Sequence, residues 1–424
     1  MLSNQPERPS HEVRRLERSF PMSARLGWLY PYALLYLFIL IVAFYFPDIA
    51  PMADEGIHLY QIQHFHAGHL DLHGALTNIP GYHWLMALLT MPVETPSVVL
   101  VRRINAFFAL GTLTTLMVLT YQVRGRLCIT RVTQLLFMPL VLPFYFLIYT
   151  DAVSLLLILL CLSLGLSNRM LLAAVIGTLS LGIRQNNIVW LAMMPFLLYA
   201  TEGGAWTDRR RLLRHVLRCW PFGLCAVAFL AFYFINGGVA VGDQWAHPPL
   251  AIHCGNFFFM LLVYLVLFLP AIVSHLPKTR AFVLALPHKG LLLTLLLMVY
   301  LFGFTNSHPY NQVYPEYFLR NMVLMTMVSS VWIKVLCFPL MALALCDFLA
   351  RCPGRPAWVV IGVFAVLAVV PAWLIEQRYY MVPLLLMLLY RDEEAPWAEA
   401  ATTWFYLFAG AVCTYGMTTH RFFM

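Results

Sequence analysis

The stretch "WLYPYALLYLFILIVAFYFPDIAPMADEGIHLYQ", residues 28–61, decides how this chain is organised. Its first part, Trp28–Phe46, is an uncharged apolar run long enough to cross a bilayer as a helix. The run is followed within a few residues by Asp54 and Glu55. We therefore expect a membrane span that ends close to two carboxylates at the boundary between lipid and water.

The same apolar character continues along the whole chain of 424 residues, of which 61% are hydrophobic and only 11% charged. Soluble domains carry about 25% charged residues. In a bilayer only helices and closed barrels satisfy their backbone hydrogen bonds, and these runs are too long and too uniformly apolar for barrel strands. The composition therefore predicts an all-α polytopic membrane protein with about 12–13 spans, at residues 28–46, 98–121, 132–149, 151–167, 170–183, 187–200, 217–241, 255–274, 290–305, 322–346, 357–374, 379–390 and 402–418.

Basic residues predict the orientation of these spans. The tail 1–27 is rich in arginine, and further basic residues fall in alternate gaps, such as 122–131 and 202–218. The positive-inside rule makes that face cytoplasmic, and the net charge of +8 then reflects topology rather than a surface for nucleic acid. We expect residues 28–424 to form one membrane-embedded unit, whose first outer loop, 47–97, carries interfacial helices.

Nearly all remaining polar residues fall on the opposite, outer or lumenal face. Asp54, His58 and Gln61 follow one another at i, i+4 and i+7, which places them on one face of a helix. A carboxylate there can act as a general base, with Glu55 as its neighbour, although both acids could instead cap the helix. A zinc site is a weaker alternative for three nearby histidines, which are His64, His66 and His69.

Further candidate substrate-binding residues lie at the outer ends of the predicted spans: Arg102, Arg103, Asp151, Arg184, Gln185, Asn187, Asp243, His247, His308, Tyr310, Arg320, Glu376, Arg378 and Tyr379. Arginines on this face can hold a phosphate, whereas the alternative for Arg102 and Arg103 is contact with lipid headgroups. Asp151 and Arg184 could also form a purely structural ion pair. Together these residues predict one site for an anionic lipid and a polyhydroxyl partner.

The motifs that carry these residues resemble those of the dolichyl-phosphate-glucose alpha-1,2-glucosyltransferases, which are C-type glycosyltransferases. They are, in order, "DEGIHLYQIQ", "LTNIPGY", "IYTDAVS", "IRQNNIVW", "GDQWAH", "SHPY" and "EQRYYMVP", between residues 54 and 383. The chain departs from that family after "SHPY", where "NQVYPEYFLRN" is shorter than the family's segment.

The resemblance implies an inverting transfer of glucose from dolichyl-phosphate-glucose to a lipid-linked oligosaccharide in the endoplasmic reticulum membrane. Asp54 would be the base, and Arg320 or Arg378 would hold the donor phosphate, with Arg102 and Arg103 as further candidates. No cofactor or metal is implied. Two alternatives stay open: another C-type enzyme, such as a mannosyltransferase or a cell-envelope glycosyltransferase, and a transporter or channel accessory protein. A transporter should show repeats and polar groups at mid-membrane depth.

Overall fold

The computed structural model describes residues 22–45, 48–246 and 252–424, and most of this part of the chain is helical. Its α-helices are α1 Met22–Tyr45, α2 Glu55–His66, α3 Gly81–Leu89, α4 Val98–Arg124, α5 Ile129–Leu136, α6 Asp151–Leu166, α7 Met170–Ile183, α8 Ile188–Thr201, α9 Arg209–Arg218, α10 Phe222–Asn236, α11 Cys254–Leu267, α12 Leu269–Ala285, α13 Lys289–Gly303, α14 Leu319–Val328, α15 Val331–Arg351, α16 Pro356–Val369, α17 Met381–Tyr390 and α18 Pro396–Thr418. Within the described residues, pairing of β type is limited to one bridge between Phe318 and Phe423. The predicted all-α class is confirmed.

Several helices have the length and composition of membrane spans. Helices α4 and α15 are each long and apolar enough to cross a bilayer alone. The pairs α9–α10 and α11–α12 pass the same test together, bent by 58° and 99°. Large apolar side chains also face outward, as Trp332 and Phe302 do at 82% and 79% exposure, which indicates contact with lipid. The chain is therefore a membrane protein, and the count of 12–13 spans stays a prediction.

Three of the predicted spans differ from the structure. The segment 322–346 is broken at Ser329–Ser330, where the Ser330 hydroxyl caps α15. The segment 255–274 bends sharply after α11, since Pro270 lies in the first turn of α12. The segment 379–390 forms a buried helix of only ten residues, α17, too short to cross a bilayer.

The predicted span 132–149 is also wrong, because only its first turns are helical. After α5, residues 137–150 form an irregular segment that contains one short 3₁₀ helix, Leu142–Tyr145. Pro139 and Pro143 lack the amide hydrogens that a continuous helix would need here. Every side chain from 137 to 150 is buried, so this irregular backbone is enclosed by protein.

Two polar layers lie at opposite ends of α4. Near its start, Arg102 pairs with Glu55, and at its end Arg124 pairs with Glu393. The helical rise places these two arginines about 33 Å apart. That separation is close to the ~30 Å hydrocarbon thickness of a bilayer. The layer at the start of α4 contains the segment between α1 and α4, which includes the short helices α2 and α3.

Candidate active site

A large cavity of about 880 Å³ opens in the polar layer at the start of α4. Twelve of the eighteen residues predicted for the site line it: Asp54, His58, Asp151, Arg184, Gln185, Asn187, Asp243, Tyr310, Arg320, Glu376, Arg378 and Tyr379. These residues come from loops that are up to 325 positions apart in the sequence. The fold therefore gathers most of the polar motifs into one site.

Asp54 lies at the mouth of the cavity, immediately before α2. Its side chain is 52% exposed, and it makes no side-chain capping bond to the helix. The Asp54 side chain therefore does not cap α2 by a hydrogen bond. Its position is held from the backbone, since its N–H donates to the hydroxyl of Tyr149 (3.1 Å). The carboxylate is thus fixed at its base and accessible to a substrate.

Arg378 connects the carboxylates of the cavity. Its guanidinium lies 3.4 Å from Asp54, 3.7 Å from Asp151 and 3.2 Å from Glu376. It also stacks over the ring of Tyr149, 5.0 Å from the ring centre. Burial alone would disfavour its charge, but Glu376, Asp151 and Asp54 raise the pKa of Arg378 well above its usual value. Arg378 is therefore a permanent cation at the centre of the site.

Asp151 and Arg184 form an ion pair because of how α6 and α7 are joined. The two helices form an antiparallel hairpin, so the first residue of α6 and the residue after α7 lie at the same end. An acid at a helix N-terminus and a base at a C-terminus both complement the helix dipoles. Among the described residues, no donor makes a hydrogen bond to the Asp151 oxygen that faces Arg378. A ligand in the cavity could therefore donate to this oxygen.

Glu376 balances the charge of a second arginine. It lies between Arg378 and Arg320, whose guanidinium is 3.2 Å from its carboxylate. Burial would raise the pKa of Glu376, but the two arginines outweigh that effect and hold it below its usual value. Arg320 also donates to the main-chain oxygen of Met424 (2.7 Å). The cavity thus contains three arginines, each beside a carboxylate.

Glu55 lies outside the cavity, although it follows Asp54 directly. It is completely buried and accepts two hydrogen bonds from Arg102, at 2.6 and 3.0 Å. The backbone N–H groups of Met52 (2.8 Å) and Ile148 (2.7 Å) donate to the same carboxylate. All its strong acceptor positions are occupied, so Glu55 and Arg102 hold the first loop against α4 rather than face a ligand.

His58 forms a buried pair behind Asp54. Its Nδ1 lies 2.9 Å from Nε2 of His83, on α3. Burial, and then the charges of Arg378 and Arg184, lower the pKa of His58 to about 3. Burial also lowers the pKa of His83. Both imidazoles are therefore neutral at physiological pH, and His58 can offer hydrogen bonds but no charge to the cavity.

Two of the three amides of "RQNN" hold the walls of the cavity. Gln185 bonds to the backbones of Thr77, Ile79 and Val239. Asn187 bonds to Ser154. These contacts occupy amide groups that the sequence suggested for substrate hydroxyls.

Four other predicted site residues lie outside the cavity. Arg103 interacts with the carbonyl and ring of Phe44. Gln61 bonds to the loop after α2, and His308 bonds to Ala246 and Tyr310. Arg102 forms an ion pair with Glu55, as described above. His247 lies outside the described residues.

Sequence reasoning also missed residues that line the cavity or that hold its lining residues from behind. Tyr149 is the most important, because it contacts Asp54, Arg378 and His58 at once. Its position next to "TDAVS" was a usable signal, but an aromatic residue at a span end is ordinary in membrane proteins. Asn186 is exposed in the same wall, and Trp190, Tyr233 and Phe423 add aromatic surface.

The lateral wall of the cavity is apolar. Leu230 on α10 and Leu367 on α16 line it, and each is about half exposed, at 49% and 53%. A cavity with this wall, an accessible carboxylate and three arginines has the features of a membrane-embedded site for a phosphorylated, lipid-linked substrate.

Sequence comparison agrees with this class. Residues 49–205 and 200–389 match the profile of the DIE2/ALG10 family, and the chain belongs to that family. It is 24% identical to a Homo sapiens protein over 394 residues, 78% of this chain and 82% of that protein. A relative in Arabidopsis thaliana is also 24% identical, with 80% of this chain and 86% of that protein covered.

A relative in Candida albicans is 27% identical over 276 residues, which span 59% of this chain and 60% of that protein's length. All three relatives are named Dol-P-Glc:Glc(2)Man(9)GlcNAc(2)-PP-Dol alpha-1,2-glucosyltransferase. No solved structure matches the chain.

Proposed function

We propose that this chain transfers glucose from dolichyl-phosphate-glucose to a diglucosylated lipid-linked oligosaccharide, forming an alpha-1,2 linkage with inversion. The observation that carries the proposal is the cavity itself, which joins an accessible carboxylate, a cluster of arginines and an apolar lateral wall. The names of the relatives supply the particular sugar and acceptor.

Asp54 is the proposed general base. It would take the proton from the acceptor 2-hydroxyl while that oxygen attacks the anomeric carbon of glucose and the bond to the phosphate oxygen breaks. Its exposure and its firm backbone anchor support this role, since a base must reach the proton it removes. The phosphate leaves as an anion and needs little protonation, so one carboxylate is sufficient.

The donor phosphate would bind beside Arg378, Arg184 or Arg320. Planar guanidinium groups bind phosphate through paired hydrogen bonds. Arg102 and Arg103 are not proposed for this role, because both interact with other protein groups away from the cavity. The polyprenyl chain would leave through the wall at Leu230 and Leu367, and the mechanism requires no metal or cofactor.

The same proposal places the protein in the endoplasmic reticulum membrane as a multi-pass protein, with the cavity on the lumenal side. Two observations support it. The relatives' names contain dolichol-linked substrates, and the arginine-rich loop that includes α9 belongs to the face that the positive-inside rule makes cytoplasmic. A protease or labelling assay in sealed vesicles would test which face each loop occupies.

The reaction is tested with purified protein in detergent, supplied with dolichyl-phosphate-glucose and a diglucosylated lipid-linked glycan. We expect transfer by the wild type and at least about a 100-fold loss in Asp54→Asn, the usual contribution of a general base. Asp48→Asn is the matched control, since Asp48 is an exposed acid of the same loop that does not line the cavity.

Two results would contradict the proposal. Full activity of Asp54→Asn would remove Asp54 as the base while leaving the reaction standing. Failure of the wild type with this donor, together with transfer from dolichyl-phosphate-mannose, would favour the mannosyltransferase alternative.

A further inference from the structure

A cluster of potential metal ligands lies at the end of α2, away from the residues that line the cavity. It consists of His64, His69 and Asp71, whose ligand atoms all lie within 4.8 Å of one another. His64 Nε2 is 2.9 Å from Asp71 Oδ1, and the His69 ring stacks on the His64 ring at 4.5 Å. Two imidazoles and a carboxylate this close together are groups that bind a transition-metal ion.

The backbone holds two of these ligands together. Helix α2 ends at His66, and Gly68 has φ +87°, a conformation that side-chain-bearing residues rarely adopt. The chain reverses there, and the N–H of His69 donates to the carbonyl of His64 (3.1 Å). This reversal places the second imidazole over the first.

Side-chain contacts fix the rest of the loop. Gln61 donates to the carbonyl of Asp71 (3.1 Å) and accepts from the N–H of His73 (2.7 Å). On its other side, the His64 ring stacks against Tyr60 at 5.5 Å. The backbone around Asp71 and the His64 ring are therefore held by contacts that do not involve a metal.

We propose that His64, His69 and Asp71 bind one divalent transition-metal ion of the Zn²⁺ class. Neutral imidazole and carboxylate are ordinary zinc ligands, and three protein groups leave a fourth position for water. The ion would fasten the loop after α2, which continues into the cavity wall at Ala75–Asn78. This role is structural and does not depend on the proposed reaction.

The ligand set differs from the one that the histidine spacing suggested. His66 lies apart from the cluster, with its Nδ1 3.5 Å from the hydroxyl of Thr90 on the other side. The third ligand is Asp71, which was not part of the set predicted from the histidines. His66 is therefore a matched control, since it belongs to the same helix but not to the proposed site.

The test uses the whole chain, purified in detergent with an affinity tag that contains no histidine and stripped with a chelator. Titration with Zn²⁺, and with Co²⁺ as a visible spectroscopic probe, should show one saturable site per chain. His69→Gln and Asp71→Asn should each bind at least about tenfold more weakly, because even loss of an outer partner of a metal ligand costs that much. His66→Gln should bind as the wild type does.

Thermal unfolding supplies a second measurement. Zn²⁺ should raise the unfolding midpoint of the wild type and of His66→Gln, but not that of His69→Gln. Equal midpoints of the stripped proteins would show that His69→Gln still folds. The absence of saturable binding, or binding that His69→Gln and Asp71→Asn leave unchanged, would overturn the proposal.

Discussion

Asp54 and Glu55 are neighbours in sequence, and the structure predicts opposite consequences when each carboxylate is replaced by an amide. Each Glu55 oxygen accepts one hydrogen bond from Arg102 and one from a backbone N–H. In Glu55→Gln, one of these oxygens becomes an NH₂ group that faces two donors. The substitution also removes the negative charge that lies 2.6 Å from the guanidinium of Arg102, which is 3% exposed.

The expected cost follows from these contacts. Removing one partner of a buried ion pair typically lowers the free energy of unfolding by about 3–5 kcal/mol. The N–H group left facing the amide adds about 1 kcal/mol. Asp54 is half exposed and has one ion-pair contact at 3.4 Å, so Asp54→Asn should cost at most about 1 kcal/mol.

The assay is denaturation of the purified variants in one detergent, with Asp54→Asn as the matched control. Replacing the pair together, as Glu55→Met with Arg102→Met, should recover part of the loss, since no unpaired charge is then buried. The reasoning is refuted if Glu55→Gln is as stable as the wild type, or if Asp54→Asn is destabilised as much as Glu55→Gln.

Three further predictions concern the cavity. Arg378→Lys should lower kcat/KM about 10–100-fold, because an ammonium group cannot bridge three carboxylates; unchanged kinetics would exclude a direct role. Gln185→Ala should lower the free energy of unfolding by about 3 kcal/mol, since three hydrogen bonds between loops are lost, and denaturation measures this directly. The pKa of His58 is about 3 in the folded protein and ordinarily 6.5 in an unfolded chain. Below pH 6.5 the unfolded chain therefore binds a proton at His58 that the folded protein does not, and the free energy of unfolding falls as the pH drops. The loss from this group should be about 2 kcal/mol at pH 5, and denaturation of His58→Asn across that pH range should lack it.

Much of the site could be predicted because polar residues are rare in this sequence. A charged or amide side chain between apolar spans has few places to lie, and the positive-inside rule assigned most of them to one face. Asp151 and Arg184 illustrate this, since the hairpin of α6 and α7 brings together two residues that sequence reasoning had already paired.

The remaining parts depend on contacts between distant segments. No local pattern in the sequence shows that Glu55 is buried and Asp54 is accessible. Glu55 is buried because it pairs with Arg102, which lies 47 residues away in the sequence. Hydropathy likewise measures how apolar a segment is and not whether its backbone forms a helix. The apolar side chains of segment 132–149 are buried by the surrounding protein. Its prolines prevent a continuous helix there, so the backbone is irregular.

That irregular segment has a consequence for how the protein is made. In lipid, a chain that has not yet packed can satisfy its backbone only as a helix, so residues 137–150 cannot hold their final shape alone. The residues just before them are held by late parts of the chain: Arg131 donates to the carbonyl of Leu388, and Gln134 to that of Glu399. Biosynthesis must therefore leave this segment unfinished until the last helices have been inserted, which makes its final packing a late step of assembly.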